Sequence, residues 1–328
     1  MLAVPATGAF PPALTFDIVA SGDLLIHRSL YVDAHRRDGR YDFRPYFARI
    51  RPIIRGAALA ICHVEHPIGA GPPSTYPIFN APPGLAEAIA WTGWDVCSTS
   101  SNHTTDRGQE GVASTLRWLD RAGVQHAGSA RSAAEAQRIT LVRVHGVTIA
   151  LLAYAYGSNT EIPYAFSVNL ISEARIRSDA RRARQLGAQL VLVNMHWGEE
   201  YQHEPTAEQW ALARSLLCGR VVDAIVGQHV HVVQPIRGLC GRFVVFGEGN
   251  LISGQLRAET QDGLIAILHV RAHLTAAHVT GVDYVPTHVR QRDHLVEFVS
   301  PTYRSDSYWR TVRFAGHGRF IKPAPGGG

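Results

Sequence analysis

The chain has 328 residues, 46% hydrophobic and 18% charged, enough for a large buried α/β core in one domain. Its net charge is +5 and its only lysine is Lys322; the one dense basic run, residues 175–184, lies on an expected helix with no interleaved aromatics. That run reads as a solvated face and excludes nucleic acid as a partner, while the lack of any apolar run of about 18 residues excludes an integral membrane segment.

Residues 14–20 form an apolar, β-branched run and read as a buried first strand. It opens onto Ser21-Gly22-Asp23, and an Asp at the carboxyl end of a strand stands where α/β proteins keep their chemistry. If the segment after Asp23 coils, His27 shares a face with it at i+4. Residues 46–54 read as helix and 57–62 as the next strand, which leads into His63-Val64-Glu65-His66. Residues 69–83 are rich in Pro and Gly and form a long covering loop. A helix at 85–91 and a strand at 95–99 follow, then Ser101-Asn102-His103 and an amphipathic helix at 106–122 that Gly123 stops.

Residues 139–144 and 147–153 read as a hairpin, and 154–169 as an irregular, aromatic stretch. A helix at 172–186, a strand at 189–195 and a helix at 206–217 come next, with His196-Trp197-Gly198-Glu199-Glu200-Tyr201 after the strand. The strand at 221–226 leads into Gly227-Gln228-His229-Val230-His231. On an extended segment the two histidines point to one side, and Gly227 allows a sharp turn there. Strands at 242–246 and 264–270 flank the loop Gly247-Glu248-Gly249-Asn250. From residue 301 the chain is poorly patterned and ends in Pro and Gly, so a domain at 14–300 is expected, with a mobile extension at 301–328. Cys62, Cys97, Cys218 and Cys240 form no CxxC pair and read as buried thiols. With no signal-peptide pattern in residues 1–12, the expected location is cytoplasmic.

One pattern recurs: an apolar strand with a metal-ligand residue type at its end. The candidates are Asp23, His27, Glu65, Asn102, His196, His229 and His231. Imidazole and carboxylate donors favour Zn, Mn or Fe over Ca, and seven donors suit two divalent ions better than one. Such a centre keeps a net positive charge of about one after two carboxylates and a hydroxide, and so attracts an anionic small-molecule or polymeric substrate.

The succession Gly22-Asp23, Val64-Glu65, Ser101-Asn102-His103, the segment from His196 to Tyr201, and Gly227 to His231 resembles the capsule/poly-γ-glutamate biosynthesis CapA family. That family has the calcineurin-like metallophosphoesterase fold. The resemblance implies a four-layer α/β/β/α sandwich of two mixed sheets flanked by helices. It implies one ion held by Asp23, His27 and His231 and a second held by Asn102, His196 and His229, with Glu65 bridging. His103 would protonate the leaving group. Apart from the resemblance, Arg28 and Arg107 flank the expected cleft and His66 lies beside an expected ligand, which makes these three the expected substrate contacts. The implied activity is metal-dependent hydrolysis, a bridging hydroxide attacking a phosphoester or an amide or γ-glutamyl bond. An amide-forming or acyl-transfer enzyme, or a non-catalytic metal-binding subunit of a poly-γ-glutamate synthase, are the alternatives. The chain departs from the family pattern in three places. The Asp-to-His spacing is stretched between Asp23 and His27, His63 stands where an Asn is usual, and Gly247-Glu248-Gly249-Asn250 replaces a Leu-Gly-Asn-type run. An N-terminal membrane anchor, common in capsule-type members, is not expected here.

Overall fold

The computed structural model describes residues 13–273 and 276–326. The first half runs β1 (Leu14–Leu25), α1 (Arg28–Ala34), α2 (Arg44–Phe47), α3 (Arg51–Gly56), β2 (Leu59–Val64), α4 (Gly84–Thr92), β3 (Val96–Ser98), α5 (Gly108–Ala122), β4 (Gln125–Ala127), α6 (Ala133–Ala136), β5 (Thr140–Val144) and β6 (Val147–Ala155). The second half runs α7 (Glu173–Gln185), β7 (Leu190–His196), α8 (Ala207–Cys218), β8 (Ala224–Gln228), β9 (Ile236–Leu239), β10 (Arg242–Val245), β11 (Asn250–Ser253), β12 (Asp262–His273), β13 (Ala276–Val289), β14 (Val296–Phe298), α9 (Ser305–Ala315) and β15 (Ile321–Pro323).

These strands build two mixed sheets. One has the order β14-β13-β12-β1-β2-β3-β4, with β11 beside β1 and β15 beside β13; the other has the order β5-β6-β7-β8-β10-β9. Alternation along each strand divides its apolar residues between two covered faces. Ile18, Leu190, Leu192 and Val226 point into the space between the sheets. Val19 points outward, under Phe43, Phe47 and Leu85 of the α1–α4 region. Val191 and Val193 point outward on the second sheet, under Ile176 of α7 and Leu216 of α8. The result is an α/β/β/α sandwich.

Parallel pairing levels the carboxyl ends of the central strands. Asp23 pairs with His63 of β2 and with Asn250 of β11, and His63 pairs with Ser98 of β3. On the other sheet Ala155, His196 and Gln228 stand in register. Two loops, 99–106 and 229–235, leave from these ends.

Several local expectations are corrected. Residues 46–54 form two short helices rather than one, because Pro45 and Pro52 each start a new helix in its first turn. β1 stays extended to Leu25, so Asp23 and His27 do not share a helical face. Residues 301–326 carry ordered elements: α9 is tied down where the Tyr284 hydroxyl donates to the Gly316 carbonyl, and β15 pairs with β13.

The cysteines are not free thiols. Cys62 is bonded to Cys97 across β2 and β3, and Cys218 to Cys240 between the end of α8 and the β9–β10 turn. That pairing removes the ground for placing the chain in a reducing compartment. Among the described residues no helix is long and apolar enough to cross a membrane. The Cys218–Cys240 bond closes a loop across a sequence separation of 22 residues. Replacing both cysteines with serine is expected to cost about 3 kcal/mol by the loop-entropy relation. Urea denaturation of the double variant against the oxidised protein checks this.

Candidate metal centre

The donor residues converge between the two sheets' carboxyl ends. Asp23, Glu65, His63, Asn102, His196, His229 and His231 are all buried. Two groups have donor atoms mutually within 4.8 Å: Asp23 with His63 and His196, and Asp23 with Glu65 and His231. Asp23 belongs to both. Its Oδ1 lies 3.7 Å from His63 Nε2 and its Oδ2 lies 3.2 Å from His231 Nδ1. His231 Nε2 lies 3.8 Å from Glu65 Oε1. The His63 ring stacks on His196 at 4.9 Å, and His229 lies 4.6 Å from His196. Asn102 Oδ1 accepts from His196 Nε2 at 2.7 Å, which places it on the His196 side.

The unpartnered atoms of the donor set fit metal ions. Both ring nitrogens of His63, both carboxylate oxygens of Glu65, and Nδ1 of His196 and of His229 are buried without a hydrogen-bond partner in the protein. Buried polar atoms are normally satisfied, and leaving so many unpaired in one place costs about 1–3 kcal/mol each. Divalent ions would supply the missing partners. Burial also prepares the ligands. It lowers His63 to about 4 and His229 to about 3, and burial plus the neighbouring imidazoles holds His196 well below its ordinary value. Neutral imidazole is the form that binds metal. Burial pushes Glu65 well up, against the pull of His231. His231 is pushed up to about 9, because Glu65 and Asp23 outweigh its burial. A dication beside these two carboxylates would take over the role of that proton.

The histidine pair after β8 is not extended. His229 has φ 92° and His231 φ 59°, both in the left-handed region that non-glycine residues rarely occupy. Such strain costs about 1–3 kcal/mol per residue and concentrates at functional sites. The Asp23 carboxylate accepts the His229 backbone N–H at 3.3–3.4 Å, and the Asn250 Oδ1 meets His231 Nδ1 at 3.0 Å. Gly227 does not make the turn. It lies in β8, where a Cβ would fall 1.9 Å from the Phe246 carbonyl oxygen.

His103 reaches the same space from the 99–106 loop. Its Nδ1 lies 2.8 Å from Asp106 Oδ2, and its Nε2 faces the Asn159 amide at 3.4 Å. Asp106 Oδ2 also accepts the Phe79 backbone N–H at 2.7 Å, which fastens the 69–83 loop to this dyad. The 156–160 strap lies against the loop: the Asn159 N–H donates to the Asn102 carbonyl at 2.8 Å, and the Thr105 and Ser158 hydroxyls are 2.7 Å apart.

Two expected residues stand apart. His27 Nδ1 accepts the Gly254 N–H at 3.1 Å, and its ring packs edge-on to Phe79, so it joins neither donor group. His66 is buried with both ring nitrogens engaged: Nε2 accepts the Ile26 N–H at 2.7 Å and Nδ1 meets the Pro67 carbonyl at 3.1 Å. It joins β1 to the loop after β2 and leaves no atom for substrate. Arg28 stands exposed at the start of α1, and Arg107 half-buried at the N-cap of α5. Conversely, His63 and Asp106 were not counted as site residues from the sequence. The signal for His63 was present, since it sits two residues before Glu65 on a strand and points to the same side.

The family model for the bacterial capsule synthesis protein PGA_cap matches residues 17–255. The capsule biosynthesis protein CapA of Bacillus anthracis is 27% identical over 282 residues, covering 82% of this chain and 66% of that protein. The PGA biosynthesis protein CapA of Bacillus subtilis is 28% identical over 202 residues, covering 57% of this chain and 50% of that protein. The chain thus spans about half to two thirds of the length of these relatives. Among solved structures, the calcineurin-like phosphoesterase YfkN of Bacillus subtilis superposes with a TM-score of 0.52 at 13% identity, over 92% of this chain and 99% of that one. NAD nucleotidase NadN of Haemophilus influenzae gives 0.51 at 12% identity, over 95% and 57%. At that identity the likeness shows the fold, which is that of the calcineurin-like phosphoesterases. With its sequence matched over residues 17–255, the chain belongs to the bacterial capsule synthesis protein family PGA_cap, the family of CapA.

Proposed function

We propose that this protein is a hydrolase dependent on two divalent metal ions, acting on a phosphoester or on an amide or γ-glutamyl bond of an anionic substrate. The observation that carries the reading is the pair of buried donor groups sharing Asp23, with the unpartnered atoms of His63, Glu65, His196 and His229 facing them. Asp23, His63 and His196, with Asn102 and His229 beside them, would hold one ion; Asp23, Glu65 and His231 would hold the other. Their nitrogen and carboxylate donors suit Zn, Mn or Fe. When bound, such ions supply Lewis acidity and a water activated near neutral pH.

The chain's own residues do the rest. Asp106 holds His103 Nδ1, so that Nε2 can pass a proton to the leaving group. Arg28 and Arg107 would meet the anionic part of the substrate, Arg107 from the half-buried start of α5.

Elemental analysis of the purified protein tests the reading. About two ions per chain are expected, together with hydrolysis of a phosphodiester or γ-glutamyl amide that stops on chelation and returns with Mn or Zn. No uptake of added metal would overturn it. Uptake without turnover on either substrate class would instead favour a metal-binding subunit.

A further inference from the structure

Away from the metal centre, the basic run of α7 meets the end of α8. Arg177, Arg181 and Arg184 lie at i, i+4 and i+7, on one face of α7. With Gly219, Arg220 and Val221 after α8 they line a cavity of about 220 Å³ whose wall has no acidic residue. Arg220 also lines a second cavity of about 220 Å³, together with Asp223, Cys240, Arg242 and His278. Five arginines and one carboxylate thus face two adjoining cavities. Both adjoin the amino end of β8, because Asp223 immediately precedes it. The metal centre lies past its carboxyl end, roughly 17 Å away for a strand of five residues.

Three of the arginines are already engaged. Arg177 donates to the Ser215 hydroxyl at 2.8 Å and pairs with Glu173 at 2.7 Å. Arg184 pairs with Asp223, and Arg242 meets the other oxygen of that carboxylate at 3.5 Å. Arg181 and Arg220 are exposed, and among the described residues neither guanidinium has a hydrogen bond or an acidic partner. The negative end of α8 does not occupy them: its Ser215, Leu216 and Leu217 carbonyls accept the N–H groups of Gly219, Val221 and Arg220. Like charges one turn apart repel, so this face weakens α7 unless something neutralises it. Arg220 stands at φ 55°, the left-handed position after a helix that glycine usually takes. Glycine would close α8 without strain; the arginine adds a guanidinium to both cavities.

We propose that these two cavities form a binding site for an anion carrying several carboxylate or phosphate groups, with Arg181 and Arg220 as its main contacts. A guanidinium presents paired N–H donors that match either oxyanion. An anion reaching past Arg220 touches both cavities, so a linked series of charges binds more tightly than a single one. The site stands apart from the metal centre and does not depend on the hydrolytic reading.

Tetraglutamate and tripolyphosphate are the two probes, with acetate as the singly charged control. Calorimetric titration of the full chain is expected to show binding of at least one probe and none of acetate at the same concentration. Tetraglutamate alone would identify a carboxylate ligand, and tripolyphosphate alone a phosphate ligand. Arg181→Gln combined with Arg220→Gln should weaken the binding about a hundredfold, near tenfold for each charge-assisted contact. Arg37→Gln combined with Arg292→Gln removes the same charge from exposed positions elsewhere and should leave the affinity unchanged. Any binding at the metal centre is common to all three proteins and cancels in the comparison. The replaced guanidiniums have no partners, so the urea midpoint of the Arg181 and Arg220 double variant should match or exceed that of the parent. No binding of either probe, or equal weakening by the two double variants, would overturn the site and leave the metal centre standing.

Discussion

Replacing Asp23 with alanine is expected to strip the protein of both metal ions at once. Asp23 is buried, its two oxygens face different partners, and it alone has a donor atom in each group. The neighbouring ligands serve one group each. His231→Ala should therefore lower the metal content from about two ions per chain to about one, and His63→Ala should do the same on the other side. Asp23→Asn keeps an oxygen for the His229 backbone N–H but removes the charge that offsets repulsion between two dications. Its metal affinity should fall by more than about 100-fold, beyond the loss seen when a residue only orients a ligand. Elemental analysis after equilibrium dialysis measures all of these, with urea midpoints confirming that each variant is folded. The family resemblance implies Glu65 as the bridge instead. If Glu65→Ala empties both positions and Asp23→Ala only one, the shared ligand is Glu65 and the division argued from the structure is wrong.

The strand-end rule explains why most of the buried donor cluster is legible in the sequence. Asp23, Glu65, Asn102, His196, His229 and His231 each follow an apolar run, and covered strands have to be apolar on both faces. Parallel register then brings their ends together, as the pairing of Asp23 with His63 and of His196 with Gln228 shows. What failed was the local geometry after each strand. His27 would share a face with Asp23 only if the chain coiled after it, but β1 remains extended to Leu25 between β2 and β11. The pairing of those strands overrides any local turn preference. Strand alternation fails at His229 and His231, which lie on a strained turn, whereas His63 and Glu65, two apart on or beside β2, are where it holds. His66 could not be set apart, because its hydrogen bond comes from Ile26, forty positions away. The disulfides escaped for the same reason: Cys62 meets Cys97 only through the β2–β3 register. The C-terminal helix α9 is amphipathic in short compass, with Ser307, Thr311 and Ala315 buried at i, i+4 and i+8, and small residues there gave no apolar stripe to read.

His103→Ala is expected to slow the reaction while leaving the metals in place. His103 belongs to neither donor group, and its Nδ1 is already committed to Asp106. A residue that donates a proton to a departing oxygen or nitrogen contributes about 10²–10⁴-fold, and only when the leaving group needs the proton. An alkyl phosphodiester or an amide leaves as a strong base and should lose that whole factor in kcat. A p-nitrophenyl ester leaves as a weak base and should lose less than about tenfold. A purely structural histidine would slow both substrates alike, so the ratio of the two rates, rather than either rate, is the decisive quantity. Asp106→Asn refines the test. An amide oxygen can still accept the Phe79 N–H, so the 69–83 loop keeps its anchor, but the carboxylate that steadies a protonated imidazole is gone. That variant should lose about ten- to a hundredfold on the poor leaving group, the usual scale for a partner that orients an imidazole. Equal slowing of both substrates by His103→Ala, at unchanged metal content, would remove His103 from the chemistry and return it to the loop it anchors.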